Sequence, residues 1–327
     1  MKILLTGSEG LIGYALKTSL KNNKIEVQGY DHKLPYNQLD FGDILDLAGL
    51  KKAVKDCDGI IHLAAVSRVI WGEKNPDLCW KTNVEGTDNI LNCALASYKR
   101  PWIIYASSRE VYGNQDILPV KENAPLKPIN IYGRSKATAE DAILQARIKG
   151  INTAIIRFSN VFGSTADHPD RVLPAFCRAA ATGQPLKVEG SKNTFDFTHV
   201  TDVVARVIKI VEKLNQGQNN LPPLHFTAGR ATSLQEAARI AVLAGGNKSQ
   251  IFEAPSRNFD VSNFFGDATQ TMGILDWCPK MTLEEGINGL VSLFKNEISI
   301  LKNTGAQMKG GHHNENTQSD SRLSSTL

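Results

Sequence analysis

Paired cysteines are missing from this sequence. Its 327 residues hold five cysteines, Cys57, Cys79, Cys93, Cys177 and Cys278, an odd number with no CxxC spacing. That pattern argues against a disulfide framework and a structural zinc site, and it fits a reducing compartment, the cytoplasm. Long hydrophobic runs are missing too: no stretch approaches the roughly 18 apolar residues that a membrane span needs. The opening MKILLTGSEG leaves its apolar run at Thr6-Gly7, too early for the core of a secretion signal. Nor is there a block of basic charge. The net charge is +4 and the lysines and arginines are spread along the chain, so no nucleic-acid partner is expected. What is present is ordinary for a globular protein: 42% hydrophobic and 21% charged residues. The length suits one large α/β domain with a smaller second lobe.

Up to about Gly163, short apolar runs alternate with helical patterns. Strands are expected at Lys2–Thr6, Ile25–Tyr30, Gly59–Leu63, Trp102–Ala106 and Thr153–Phe158. Helices are expected over about Leu11–Leu20, Asn83–Ala96 and Tyr132–Arg147, the first with Leu11, Ile12, Ala15, Leu16 and Leu20 on one face. Such alternation implies right-handed crossovers and a doubly wound parallel sheet of the Rossmann type. After Gly163, prolines punctuate shorter elements. We therefore expect a dinucleotide-binding domain over residues 1–163, with the chain returning to it around 196–215, and a smaller mixed α/β substrate lobe over 164–303. Residues 304–327 are polar and aperiodic, a tail pattern. His312 and His313 fall in it, and a solvated tail explains them better than a metal site does.

The segment KILLTGSEGLIG reads strand, then Gly7, Gly10 and Gly13, then helix. Glycine permits the torsions of a tight turn. It also lets a pyrophosphate approach the main chain at a helix N-terminus, where free N–H groups and the dipole favour anions. Leu11 and Ile12 open that helix and belong to the same candidate site. Asp31 ends the next strand, where a carboxylate would accept from adenosine ribose hydroxyls and repel a 2′-phosphate. This favours NAD over NADP, although Lys33 lies close by and Asp31 has an alternative reading as a turn residue. Asp43 and Ile44 are placed to flank the adenine. Leu63, Ala64 and Ala65 of the run HLAA supply small residues where backbone can pass the cofactor.

Tyr132 and Lys136 lie four apart in an expected helix and share a face. A phenol with a pKa near 10 is a poor base at neutral pH. A neighbouring ammonium is expected to lower that pKa. The pair can then take a hydroxyl proton as hydride leaves carbon for nicotinamide. Ser108, a hydroxyl at a strand end, precedes Tyr132 by 24 residues. Ser107 is either a second hydrogen-bonding group or a strand-end residue.

With these motifs in order, the sequence resembles the extended short-chain dehydrogenase/reductase superfamily, in its nucleotide-sugar epimerase/dehydratase branch. The resemblance spans about residues 1 to 300. It is carried by the GxxGxxG spacing and by HLAA, TNVEGT with Asn83, YASSREVYG, IYGRSK, IIRFSNVFG, FDFTHVTDV and WCPKMTLEEGI. It implies NAD as cofactor, with Asn83 among the cofactor-binding residues and Lys136 on the nicotinamide ribose. It also implies a nucleotide-sugar substrate held by Asn160, by Val172, Leu173, Lys187 and Val188 around the nucleotide, and by Arg257 on the diphosphate. For Arg257 a surface role is the alternative.

Two places set this chain apart. Glu110 occupies the position where dehydratases and decarboxylases of the branch carry a base, yet Arg109 precedes it where dehydratases carry an aspartate acid. Arginine stays charged and cannot serve as that acid. Arg109 either holds a substrate anion or forms an ion pair, and Glu110 is either a base or a structural carboxylate. Phe195 stands where the branch usually has an arginine on the diphosphate, so that contact is either missing or supplied from elsewhere, for instance by Arg230, Arg171 or Lys192. Asp196 and His199 are read as structural. The expected activity is a nucleotide-sugar epimerase with transient oxidation at C4. The alternatives are a decarboxylase or 4,6-dehydratase using Glu110, a net sugar dehydrogenase or reductase, and a non-catalytic NAD-binding protein. A homodimer paired through the helices over Asn83–Ala96 and Tyr132–Arg147 is expected by analogy.

Overall fold

The computed structural model describes residues 1–257 and 261–303; the expected tail, with His312 and His313, lies outside the described residues. Five strands, β1 (Lys2–Thr6), β2 (Glu26–Tyr30), β3 (Gly59–His62), β4 (Trp102–Ser108) and β5 (Thr153–Phe158), follow the apolar runs of the sequence. A sixth strand, Leu224–Phe226, was not anticipated. It is three residues long, follows Pro222-Pro223, and pairs in parallel with β5. The sheet order is Leu224–Phe226, β5, β4, β3, β1, β2, parallel throughout. The central strands β3, β4 and β5 are buried along their whole length, as expected for a sheet covered on both faces.

Two cores flank the sheet. On one face the helices Leu11–Asn22 and Val200–Asn215 pack with Ile3, Leu5, Ile104 and Ile156. Val200, Val203, Val207, Ile210, Val211 and Leu214 recur at helical spacing and are all buried. Each such side chain contributes roughly 1.5–3 kcal/mol relative to exposure. On the other face lie the helices Leu47–Val54, Gly86–Ala96 and Ile131–Ile148, over Leu4, Ile60, Ile103 and Ile155. The helix expected from Asn83 begins as a π-helical turn, Lys81–Glu85, before Gly86–Ala96. A third core unites the helices Val172–Thr182, Leu234–Gly245 and Leu283–Asn303 with Leu186, Val188, Phe195 and Phe197. Around it lie two small strand pairs, Leu186–Glu189 with Ile251–Ala254 and Thr194–Phe195 with Thr232–Ser233. Among the described residues no helix is long and apolar enough to cross a membrane, and no cluster of side chains could hold a metal ion.

Candidate active site

The glycine turn leaves the C-terminal end of β1. Gly7 has φ +72°, and its N–H donates to the Tyr30 carbonyl at 3.0 Å. A Cβ on Gly7 would lie 2.7 Å from the Ala64 backbone nitrogen, and one on Gly13 would lie 2.1 Å from the Gly7 carbonyl oxygen. The backbone is thus packed on itself, and side chains are excluded. Gly10 caps the helix Leu11–Asn22 with no side chain bonded across the cap, which leaves the first N–H groups for an anion. Asp31 is buried at the end of β2. Its carboxylate accepts from Glu9 N at 2.9 Å and from Lys33 N at 3.0 Å, so it fastens the turn. A carboxylate has about four acceptor sites, so capacity for ribose hydroxyls remains. Together these groups fit a dinucleotide.

Other expected cofactor residues are held by contacts within the protein. Asn83 brackets residue 66: its Oδ1 accepts from Val66 N at 2.8 Å and its Nδ2 donates to the Val66 carbonyl and to Ser135 Oγ. It fixes the loop after β3 rather than lining the cleft. Asp43 accepts from Leu45 N, and Ile44 is buried against Gly86. Ala64 N donates to Thr6 Oγ1 at 3.3 Å. Of the run HLAA, Leu63 and Ala65 line the cleft. His62 bridges Thr6 and Thr87, and burial pushes its pKa down to about 3, so it is a neutral strut.

Between the sheet edge and the third core runs a cleft of about 580 Å³. It brings together Gly7, Gly10, Leu11, Ile12, Gly13, Ser107, Ser108, Arg109, Glu110, Tyr132, Lys136, Asn160, Val172, Leu173, Lys187 and Arg257. Ser108 ends β4, its hydroxyl accepts from Glu110 N at 3.2 Å, and it stands close enough to the Tyr132 phenol to hold that group's pKa down. Lys136 donates to the Ala106 carbonyl at 2.8 Å and lies over the Tyr105 ring. Burial pushes Lys136 down to about 8. The expected lowering of Tyr132 by this lysine is corrected here: burial pushes the phenol up to about 12, helped by the Glu110 charge and opposed by the Ser108 hydrogen bond and Arg171. Desolvation penalises both charged forms, and the lysine is aimed at the strand.

Ser107 is spoken for. Its hydroxyl donates to Glu140, which also holds Arg157 through Nε at 2.9 Å and Nη2 at 2.6 Å. Arg157 continues to Tyr112 Oη at 2.7 Å, and that phenol meets His225 at 2.5 Å. This buried chain ties β4, β5 and the helix Ile131–Ile148 together beneath the cleft. Glu110 is engaged on both oxygens: Oε1 pairs with Arg109 Nη2 at 2.9 Å and Oε2 accepts from Asn130 Nδ2 at 2.8 Å. Asn130 Oδ1 in turn accepts from Gly133 N at 2.7 Å and caps the helix that carries Tyr132.

On the opposite wall, Glu189 pairs with Lys187 at 2.7 Å and stands 4.0 Å from Arg257. Val188 faces the lobe core instead of the cleft. Of the suggested substitutes for the arginine absent at Phe195, Arg171 lines the cleft. Arg230 does not: it is held outside by Glu284 and Glu236. Lys192 is not among the lining residues. Asp196 is buried, accepts from Ala228 N and Gly229 N, and has its pKa pushed up to about 6 by burial. The sequence reading missed Ser67, Arg68 and Asp170, which also line the cleft. Arg68 pairs with Asp170 across 102 positions and lies over Trp71, whose ring meets His168 edge-on. No local pattern marks that contact.

Residues 3–227 match the model of the NAD dependent epimerase/dehydratase family. The chain is 32% identical over 308 residues to the protein of Methanocaldococcus jannaschii named "Putative UDP-glucose 4-epimerase", spanning 90% of this chain and 98% of that one. It is 29% identical to the UDP-N-acetyl-alpha-D-glucosaminuronate decarboxylase of Bacillus cytotoxicus, over 90% of this chain and 98% of that one. The solved structure of MoeE5 in complex with UDP-glucuronic acid and NAD superposes with a TM-score of 0.81 at 25% identity, covering 91% of this chain and all of that one. The chain belongs to the NAD dependent epimerase/dehydratase family. It is an enzyme, and its cofactor is NAD.

Proposed function

We propose that the chain is a nucleotide-sugar epimerase that works through transient oxidation at the sugar C4. The observation that carries this reading is that Ser108 and Tyr132, with Lys136 one helical turn on, line the same cleft as the glycine turn. NAD supplies the hydride acceptor and donor when bound. Tyr132 acts as the phenolate: its own proton leaves first, Oη then takes the C4 hydroxyl proton and later returns it, and the burial that raises its pKa makes that phenolate a strong base. Ser108 Oγ orients the C4 oxygen toward that phenol. Lys136 and the glycine turn hold the two ends of the dinucleotide. Asn160, Lys187, Arg171 and Arg257 surround the nucleotide diphosphate of the substrate. Guanidinium groups suit that anion.

A lyase using Glu110 is the second reading, because Glu110 lines the cleft. Against it, both carboxylate oxygens are already bonded, one to a guanidinium. The two readings separate in a nucleotide-sugar panel followed by NMR, with NAD added. Tyr132→Phe abolishes turnover and keeps NAD binding; near-normal activity would refute the mechanism. Glu110→Gln lowers epimerisation less than tenfold. Loss of elimination or of CO₂ release in that variant, with ketone still formed, would establish the lyase. We further propose a cytoplasmic homodimer, supported by five free thiols and by the adjacent helices Gly86–Ala96 and Ile131–Ile148.

A further inference from the structure

Arg109 is built into the cleft wall in an unusual way. It is 8% exposed, in the short turn that follows β4, directly after Ser108. Its guanidinium lies 4.7 Å from the Phe195 ring centre and 5.6 Å from that of Phe264. Nη2 is paired with Glu110, but Nη1 is buried without any hydrogen-bond partner. A buried charged donor left unpaired is costly, more so between aromatic walls of low polarity. The cost is recovered when an anion enters the cleft and accepts from Nη1.

We propose that Arg109 receives a carboxylate on the substrate's own sugar, so that the substrate is a nucleotide-linked hexuronic acid. This rests on the C4 oxidation proposed above. Ser108 and Tyr132 hold the C4 hydroxyl, and Arg109 is the next residue along the chain. A C6 carboxylate hangs from C5, the carbon next to C4, and so falls beside the same turn. The diphosphate is assigned to the wall farther along the cleft, where Lys187 and Arg257 flank Glu189. The contact also bears on the product. Oxidation at C4 turns a hexuronate into a β-keto acid, which loses CO₂ when the carboxylate electrons flow toward the ketone. A guanidinium fixed on that carboxylate holds the charge on its oxygens and opposes the loss, so the carboxylate is retained through the epimerisation.

Calorimetry on the full chain with NAD tests this, using UDP and dTDP series of the glucuronate, the glucoside and the free nucleotide. The glucuronate binds at least tenfold tighter than the glucoside in the series that the pocket accepts. Arg109→Met erases that preference and leaves nucleotide affinity within about twofold, and Arg109→Lys, which keeps a cation and does not strand Glu110, restores part of it. Equal affinity for glucuronate and glucoside in both series overturns the inference. So does a preference that survives Arg109→Met, or an equal loss for the free nucleotide, which would place Arg109 on the diphosphate. Absence of enzyme-bound NADH with every sugar would sink the C4 oxidation instead, while the binding comparison still decides the carboxylate contact.

Discussion

Lys136 should destabilise the fold that contains it, and replacing it by methionine exposes the cost. Its Nζ is buried, and its pKa falls from the ordinary 10.5 to about 8, chiefly through loss of solvation. That gap corresponds to roughly 3 kcal/mol at neutral pH, at about 1.4 kcal/mol per pKa unit. The sign follows from proton linkage. Below about pH 8 both folded and unfolded chains carry the ammonium, and the penalty is complete. Between about 8 and 10.5 the folded chain releases its proton first, so the penalty fades as pH rises. Methionine keeps most of the apolar stem and cannot titrate. The difference in urea unfolding free energy, wild type minus Lys136→Met, therefore shifts toward wild type by about 2 kcal/mol between pH 7 and pH 9.5. All other titrations cancel in that difference unless they touch Lys136. The Ala106 carbonyl bond and the Tyr105 ring favour the ammonium and offset part of the cost while Lys136 is charged. Turnover is lost in the same variant. A difference that stays flat across this range would show that the ammonium is not desolvated, and would refute the account of why Tyr132 and Lys136 are both perturbed.

Two further outcomes are expected. Gly13→Ala sets a methyl 2.1 Å from the Gly7 carbonyl, whereas at Gly10 the same methyl meets that oxygen at 3.4 Å. Gly13→Ala therefore lowers stability by about 1–3 kcal/mol as well as NAD affinity, Gly10→Ala lowers chiefly NAD affinity, and equal stability losses in urea would contradict this. Light scattering gives a dimer mass at micromolar concentration, and a stable monomer would remove the proposed pairing of Gly86–Ala96 and Ile131–Ile148.

Features written locally in the chain were legible before any coordinates. Runs such as ILL and WIIYA are apolar on both faces, and a strand buried on both sides needs nothing more. The glycine turn was legible because its torsions and close packing have a residue signature. Leu224–Phe226 was not, since three residues beside two prolines carry no period and only β5 makes them a strand. Side-chain partners were legible still less. Ser107 had two readings, and Glu140, 33 positions away, decides between them. The spacing that named Asn83 a cofactor residue gave no sign that it also staples Val66 to Ser135. The Tyr132 pKa was expected to fall and rises, because desolvation is a property of the assembled cleft and a YxxxK spacing says nothing about it.

Phe195 and Arg109 are another such distant pair, and the proposed specificity rests on their contact. Taken alone, Phe195 removes a cation from the substrate side, and Arg109 spoils the acid of a dehydratase. The fold sets the two in contact, 4.7 Å from ring to guanidinium. An arginine at position 195 would bring a second cation against Arg109 in a dry wall, where like charges repel strongly. An aromatic ring there instead presents its negative face to the guanidinium. The two departures are therefore one arrangement. The cation stands beside Ser108 and Tyr132, with Glu110 neutralising half of its contacts and Asn130 steadying Glu110. On the proposed reading, charge placed there bears on the sugar ring, and the diphosphate falls to Lys187 and Arg257 beside Glu189.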